Sequence, residues 1–206
     1  MYALVENNSV TKLFTYPKGF VLNDVQYSAD IFTKWSTAEK NAIGIYEVVT
    51  DSTNKKDEKW YINTNESFTF ANNTVTRSWG TATAKAHADT LWTQQDSDDG
   101  DLPDDKEVGD VKVEGLKTQL IRTIKQQAAG ILQDTDWYVV RKADAGTAVP
   151  SAITTHRAAV RTKAAEMETA ITNASDTPAL ETLYTYTEQE DGSITRPLGE
   201  LPTLES

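Results

Sequence analysis

Two stretches in the second half of the chain repeat apolar residues at three- and four-residue spacing. They constrain the fold more than any other feature. The first runs through Val113, Leu116, Leu120, Ile124, Ala128 and Ile131; the second through Ile153, Val160, Ala164, Met167 and Ile171. This spacing puts each set on one face of an α-helix. Neither stretch is apolar enough to stand alone, because an isolated helix of this length is marginal in water. Each stripe therefore has to be buried against the other or against a partner chain. The expected arrangement is an antiparallel helical hairpin over residues 111–173, with "DTDWYVVRKADAGTAVP" as its connection. Pro150 suits the first turn of the second helix, where its fixed φ is helical and its missing N–H costs nothing.

The first 80 residues follow a different period. "YALVENNSVTKLF" places two strand-forming runs around Asn7-Asn8, and asparagine tolerates positive φ, so a hairpin is expected. Ser36 followed by Glu39 forms a candidate capping box for a short helix that ends before Gly44. "IYEVV" then reads as a strand, and "WYINTN", "SFTFA" and "TVTRSW" as an antiparallel meander turning at Asn65-Glu66 and Asn72-Asn73. Four N-x-[ST] triplets begin at Asn7, Asn65, Asn72 and Asn173; the abundance of Asn and Thr in turns accounts for them. Ala84, Ala88, Leu91 and Trp92 suggest a connecting helix over 81–95. The expected class is α+β. A small antiparallel β-rich N-terminal domain (1–80) leads to that helix, an acidic linker (96–110), the helical hairpin (111–173) and an extended C-terminal tail (174–206). Pro197 and Pro202 suggest the extension of the tail.

The linker reading rests on "DSDDGDLPDDKEVGD", which holds almost no apolar residues and includes Gly and Pro. A calcium loop is the competing reading. Asp96, Asp98, Asp104 and Glu107 occupy ligand positions of an EF-hand-like register. However, Gly100 stands where a ligand belongs and Asp101 where glycine makes the sharp turn, so a solvated linker is expected. The net charge of the chain is −11, which opposes a nucleic-acid partner, since such binders present a basic footprint. No run approaches the length of a membrane span, and the N-terminus lacks the basic start and apolar core of a signal peptide. Cysteine is absent, which excludes disulfides, thiolate metal sites and a cysteine nucleophile.

Motifs of catalysis are absent too. There is no G-x-S-x-G elbow, no phosphate-cradling G-x-x-x-x-G-K-[ST] and no dinucleotide G-x-G-x-x-G. His87 and His156 lack the spaced partners of a metal site, and both are expected at the surface. A pair of carboxylates working on a glycan is the remaining enzymatic reading, but among 31 acidic residues sequence singles out no pair. No catalytic residue, metal or cofactor is expected.

One cluster draws together charge and aromatic residues. Arg157 and Arg161 share a helix face by their four-residue spacing. They either pair within the chain, with Asp134, Asp136 or Asp144 of the connection, or read an acidic partner surface. Pairing within the chain is the favoured alternative, because a bidentate guanidinium fixes a loop against a helix. Trp137 and Tyr138 are expected to close the end of the hairpin. Asp134, Asp136, Trp137, Tyr138, Arg157 and Arg161 are thus the candidate clamp and interaction residues.

Around these residues, "LQDTDWYVVRKADAGTAVPSAITTHRAAVRTKAAEME" resembles a pattern in tail-fibre assembly, or tail assembly chaperone-like, proteins of tailed phages. That pattern is a helix, Thr-Asp-Trp, a loop containing proline, and a helix with one Arg four residues from another. Thr135-Asp136-Trp137, Pro150 and Arg157-Ala158-Ala159-Val160-Arg161 match it over roughly 50 residues, and the polar "KADAGT" departs from it. "WSTAEKNAIGIYEVV" is similar to the start of related tail proteins, where a short helix runs into a strand. The resemblance implies a tail-associated role. The expectation is a non-enzymatic virion structural protein of the tail, baseplate or fibre attachment region, made in the host cytoplasm. Its expected partners are other tail or fibre proteins and further copies of itself. The alternative is an assembly chaperone absent from the mature particle.

Overall fold

A computed structural model describes residues 1–204 and combines helices with strands in an α+β fold. The chain divides into two compact units, Met1–Thr83 and Ala84–Ser206.

Three hairpin turns in the first unit use one device. Asn7-Asn8, Asn23-Asp24 and Asn72-Asn73 each hold two successive residues at φ between 49° and 63°. Two positive φ values make the type I′ turn, whose twist matches that of the flanking strands. These turns join β1 (Tyr2–Glu6) to β2 (Ser9–Phe14), β3 (Phe20–Leu22) to β4 (Val25–Tyr27), and, later in the chain, β7 (Ser67–Ala71) to β8 (Thr74–Ser78). Between the second and third hairpins come α1 (Ile31–Lys34), α2 (Thr37–Ala42), β5 (Ile45–Thr50) and β6 (Tyr61–Ile62). Ser36 caps α2: its hydroxyl accepts from the Glu39 amide at 3.3 Å, and the Glu39 carboxylate accepts from the Ser36 amide at 2.8 Å. Hydrogen bonds from the Ser36 side chain, then from its backbone, hold the Glu39 carboxyl below its ordinary value.

The main sheet has five strands in the order β2-β1-β5-β8-β7. Its pairings are antiparallel except β5 with β8, which run parallel with Val48 opposite Val75. Here the structure differs from the expected meander. β6 lies outside the five-stranded sheet, β7 is an edge strand, and β8 lies between β7 and β5. The connection from β5 to the β7–β8 hairpin is long enough to make a parallel crossover, and alternation along a strand carries no information about its neighbour. One face of the sheet buries Leu4, Phe14 and Ile45 against Phe20, Ile31 and Phe32. The Phe14 ring stands 4.8 Å from that of Phe20 and 5.2 Å from that of Phe32. Such tilted aromatic pairs add to the burial term.

In the second unit, the expected connecting helix is replaced by short strands. β9 (Thr83–Ala84) stands at the division between the units, β10 (Thr90–Leu91) follows, and α3 begins only at Gln94 and ends at Asp98. The segment before β10 is not helical because its polar groups cap another helix, α4 (Leu116–Gln133). The amides of Leu116 and Lys117 donate to the carbonyls of Ala86 and His87, each at 3.0 Å. Asp89 accepts from the Gly115 amide at 2.7 Å and from the Thr118 hydroxyl at 2.8 Å. A carboxylate from a distant segment thus satisfies the helix N-terminus and complements its dipole. Gly115 permits this close approach: a Cβ there would lie 2.3 Å from the Ala88 carbonyl.

The acidic stretch is a closed loop inside the second unit rather than a linker between units. β10 pairs with β11 (Val111–Val113) at its base, and the Trp92 amide donates to the Asp110 carbonyl at 2.8 Å. Asp96 accepts from Thr93 and from Lys112, whose Nζ is 2.5 Å away and also lies over the Trp92 ring. These bonds, first from Lys112 and then from Thr93, hold the Asp96 carboxyl down at about 2.

α4 packs antiparallel on α6 (Ser151–Asn173), as their cross-links show. Lys117 reaches the Thr172 carbonyl, Lys125 pairs with Glu168 at 3.4 Å, and Arg157 reaches the Leu132 carbonyl. The two stripes meet: Leu116, Leu120, Ile124 and Ala128 are buried, as are Ile153, Val160, Ala164, Met167 and Ile171. Val113 is exposed, because it belongs to β11 and not to the helix. His156 is buried on α6, contrary to the expected surface position, because it falls on the same inner face as Ile153 and Val160. Pro150 is the residue before the helix, with extended ψ, so α6 starts at Ser151.

The described part of the C-terminal tail is also structured. α7 (Thr177–Tyr184) is capped by Asp176, and β12 (Thr187–Glu188) pairs with β13 (Ile194–Thr195). Leu180 and Leu198 are buried, which gives this segment its reason to fold back. Residues 205 and 206 of the expected tail lie outside the described residues.

Candidate interaction site

The connection between the long helices is itself helical. α5 (Asp136–Ala145) starts with an acid in its first turn, carries Lys142 in its last and stops at Gly146. Gly146 takes the left-handed conformation at φ 65°, and its amide donates to the Lys142 carbonyl at 3.1 Å. This is the common glycine stop of a helix.

Arg157 fixes the corner. Its side chain is only 10% exposed. One guanidinium nitrogen donates to the Leu132 carbonyl and to the Thr135 hydroxyl, each at 2.6 Å; the other donates to Asp136 Oδ1 at 2.8 Å. Thr135 is buried, and its own hydroxyl donates to the Leu132 carbonyl at 3.0 Å. The cation thus joins the negative C-terminal end of α4 to the first residue of α5. Arg161, one turn further along α6, is exposed; its closest polar contact is the Arg157 carbonyl at 3.5 Å. Asp134 and Asp144 are exposed, and among the described residues neither pairs with an arginine.

Trp137 and Tyr138 do not close the hairpin. Their rings face each other at 3.8 Å, and the Arg141 guanidinium lies over Trp137 at 4.7 Å and over Tyr138 at 5.5 Å. Trp137 remains 52% exposed, Val139 44% and Val140 65%, and α5 buries none of its residues. The buried Arg157 and Thr135, joined by a hydrogen bond, stand at the end of the hairpin instead.

Thr135, Arg141, Val139 and Val140 belong to this corner but are not among the clamp and interaction residues expected from sequence. Gly146, with Asp136 ten residues before it and Lys142 between, was the available signal for a short helix. The β-branched pair Val139-Val140 obscured it.

Among the described residues, no group of three or more His, Cys, Asp or Glu side chains is placed to hold a metal ion. No described helix is long and apolar enough to cross a membrane. Comparison of the chain with protein-family models, with curated proteins and with solved structures gave no match.

Proposed function

We propose that this chain is a non-enzymatic structural component of a phage tail, in the tail, baseplate or fibre attachment region, and that it holds neighbouring chains through the α5 corner. The exposure of Trp137, Val139 and Val140 on a helix that buries nothing of its own carries this reading. Trp137 and Val140, three residues apart, share one face of α5, and exposed apolar side chains grouped in this way mark a contact site. Tryptophan beside arginine is the composition of an interface hot spot. The Arg157 bonds hold the surface in place before a partner arrives, which lowers the ordering cost of binding. The resemblance of Thr135-Asp136-Trp137, Pro150 and Arg157-Ala158-Ala159-Val160-Arg161 to the tail-fibre assembly pattern supplies the tail-associated setting.

Quantitative mass spectrometry of purified tailed particles tests the proposal. A fixed stoichiometry per particle is the expected result. Absence from particles, with co-purification on unassembled fibre, would overturn it in favour of an assembly chaperone.

A further inference from the structure

The charge of the second unit is sorted by position. Residues 96–110 hold eight acidic side chains and one lysine, whereas residues 116–163 hold eight basic side chains and three acidic ones. In a chain of net charge −11, that second segment is a basic island. The acidic loop and the basic side chains of the corner, Arg141, Lys142 and Arg161, sit at opposite ends of α4. β11, at the base of the acidic loop, leads into the N-terminus of α4, and α5 begins just beyond its C-terminus. Eighteen helical residues separate these ends by about 27 Å.

Unpaired groups remain at both ends. At the corner, Arg141, Lys142 and Arg161 make no ion pair among the described residues, against two unpaired acids, Asp134 and Asp144, which leaves cations in excess, and the Arg141 Nε is buried without a hydrogen-bond acceptor. On the loop, Asp101, Asp104 and Glu107 make none either, and Val108 stands among them 48% exposed. The loop is held in shape by Asp96 with Lys112 and by the β10–β11 pair, so its free carboxylates are presented rather than trailing.

We propose that the α5 corner receives the acidic loop of a second copy of this chain. The proposal rests on the reading of α5 as a contact surface and names its occupant. Carboxylates of the loop meet Arg141 and Lys142, and Val108 covers Trp137. One copy cannot satisfy its own corner across the length of α4. The contact is therefore head-to-tail, the kind that closes into a ring or extends into a filament.

Analytical ultracentrifugation of the full chain tests this. The wild type associates at low salt and dissociates as salt rises, because the contact is between exposed charges. Arg141→Glu with Lys142→Glu in one protein, and Asp101→Lys with Asp104→Lys in another, each weaken self-association roughly tenfold or more while circular dichroism is unchanged. A mixture of the two recovers it, since each supplies the end that the other has reversed. A wild type that stays monomeric at low salt, or a mixture that stays monomeric, overturns the proposal. So does association by either variant alone at wild-type strength. A monomeric wild type that is nonetheless present in particles, and lost from them on Trp137→Ala, would end the self-contact and leave the structural role standing.

Discussion

Arg157 and Asp136 form an ion pair whose two halves are not equivalent. The arginine is almost fully enclosed and also holds a helix-end carbonyl and a buried hydroxyl, whereas Asp136 is 56% exposed. Removing the arginine takes one of its donors from Leu132 O, leaves the buried Thr135 hydroxyl without its donor and unpairs Asp136. Arg157→Ala is therefore expected to cost about 3 kcal/mol in urea unfolding. Asp136→Asn is expected to cost about 1 kcal/mol or less, as for other exposed pairs. Equal losses for the two would contradict this division. Asp96 offers a second test at this scale. Its carboxyl is lowered from 3.8 to about 2, so the folded loop favours the ionised form. That contribution is fully present above the ordinary value and is lost as pH falls through about 2. Nuclear magnetic resonance should place the Asp96 titration near 2 in the wild type and closer to 3.8 in Lys112→Ala. Of the residues at the corner, the arginine pair and the acids were legible in the sequence by spacing and proximity. The choice of Asp136 over Asp134 was not, because it depends on where α4 ends.

At the scale of elements, legibility followed the strength of the local signal. The two apolar stripes, the Asn-Asn turns and the Ser36–Glu39 box each carry a physical mechanism in a few residues, and each has its counterpart in the structure. Elements governed by distant partners were not legible. The segment around Asp89 has a helical pattern but spends its carbonyls on α4, and the acidic stretch is closed by strands of two and three residues. The turns allow a direct test. Asn73 sits at φ 63°, where a β-branched side chain is strained. Asn73→Val should lower stability by about 1–2 kcal/mol, and Asn73→Gly should leave it unchanged or raise it. Thermal denaturation followed by circular dichroism reads both. If valine were tolerated as well as glycine, the type I′ account of this hairpin would fail.

At the scale of the whole molecule, each unit has its own buried core, and α5 is left uncovered. The sheet unit buries its aromatic cluster, and the helical unit buries its paired stripes, but α5 keeps a tryptophan and two valines in water on a corner that Arg157 holds fixed. Neither unit brings together the side chains of a metal centre among the described residues. Binding through α5 is the role we propose for this chain. Incorporation of variants into particles tests that claim most directly. Val140→Asp adds a charge at a position that is already 65% exposed, so folding should change by no more than about 0.5 kcal/mol. The account predicts that the wild-type chain is found in purified particles at fixed stoichiometry and that folded Val140→Asp protein is excluded from them. Incorporation of that variant at the wild-type level would contradict it.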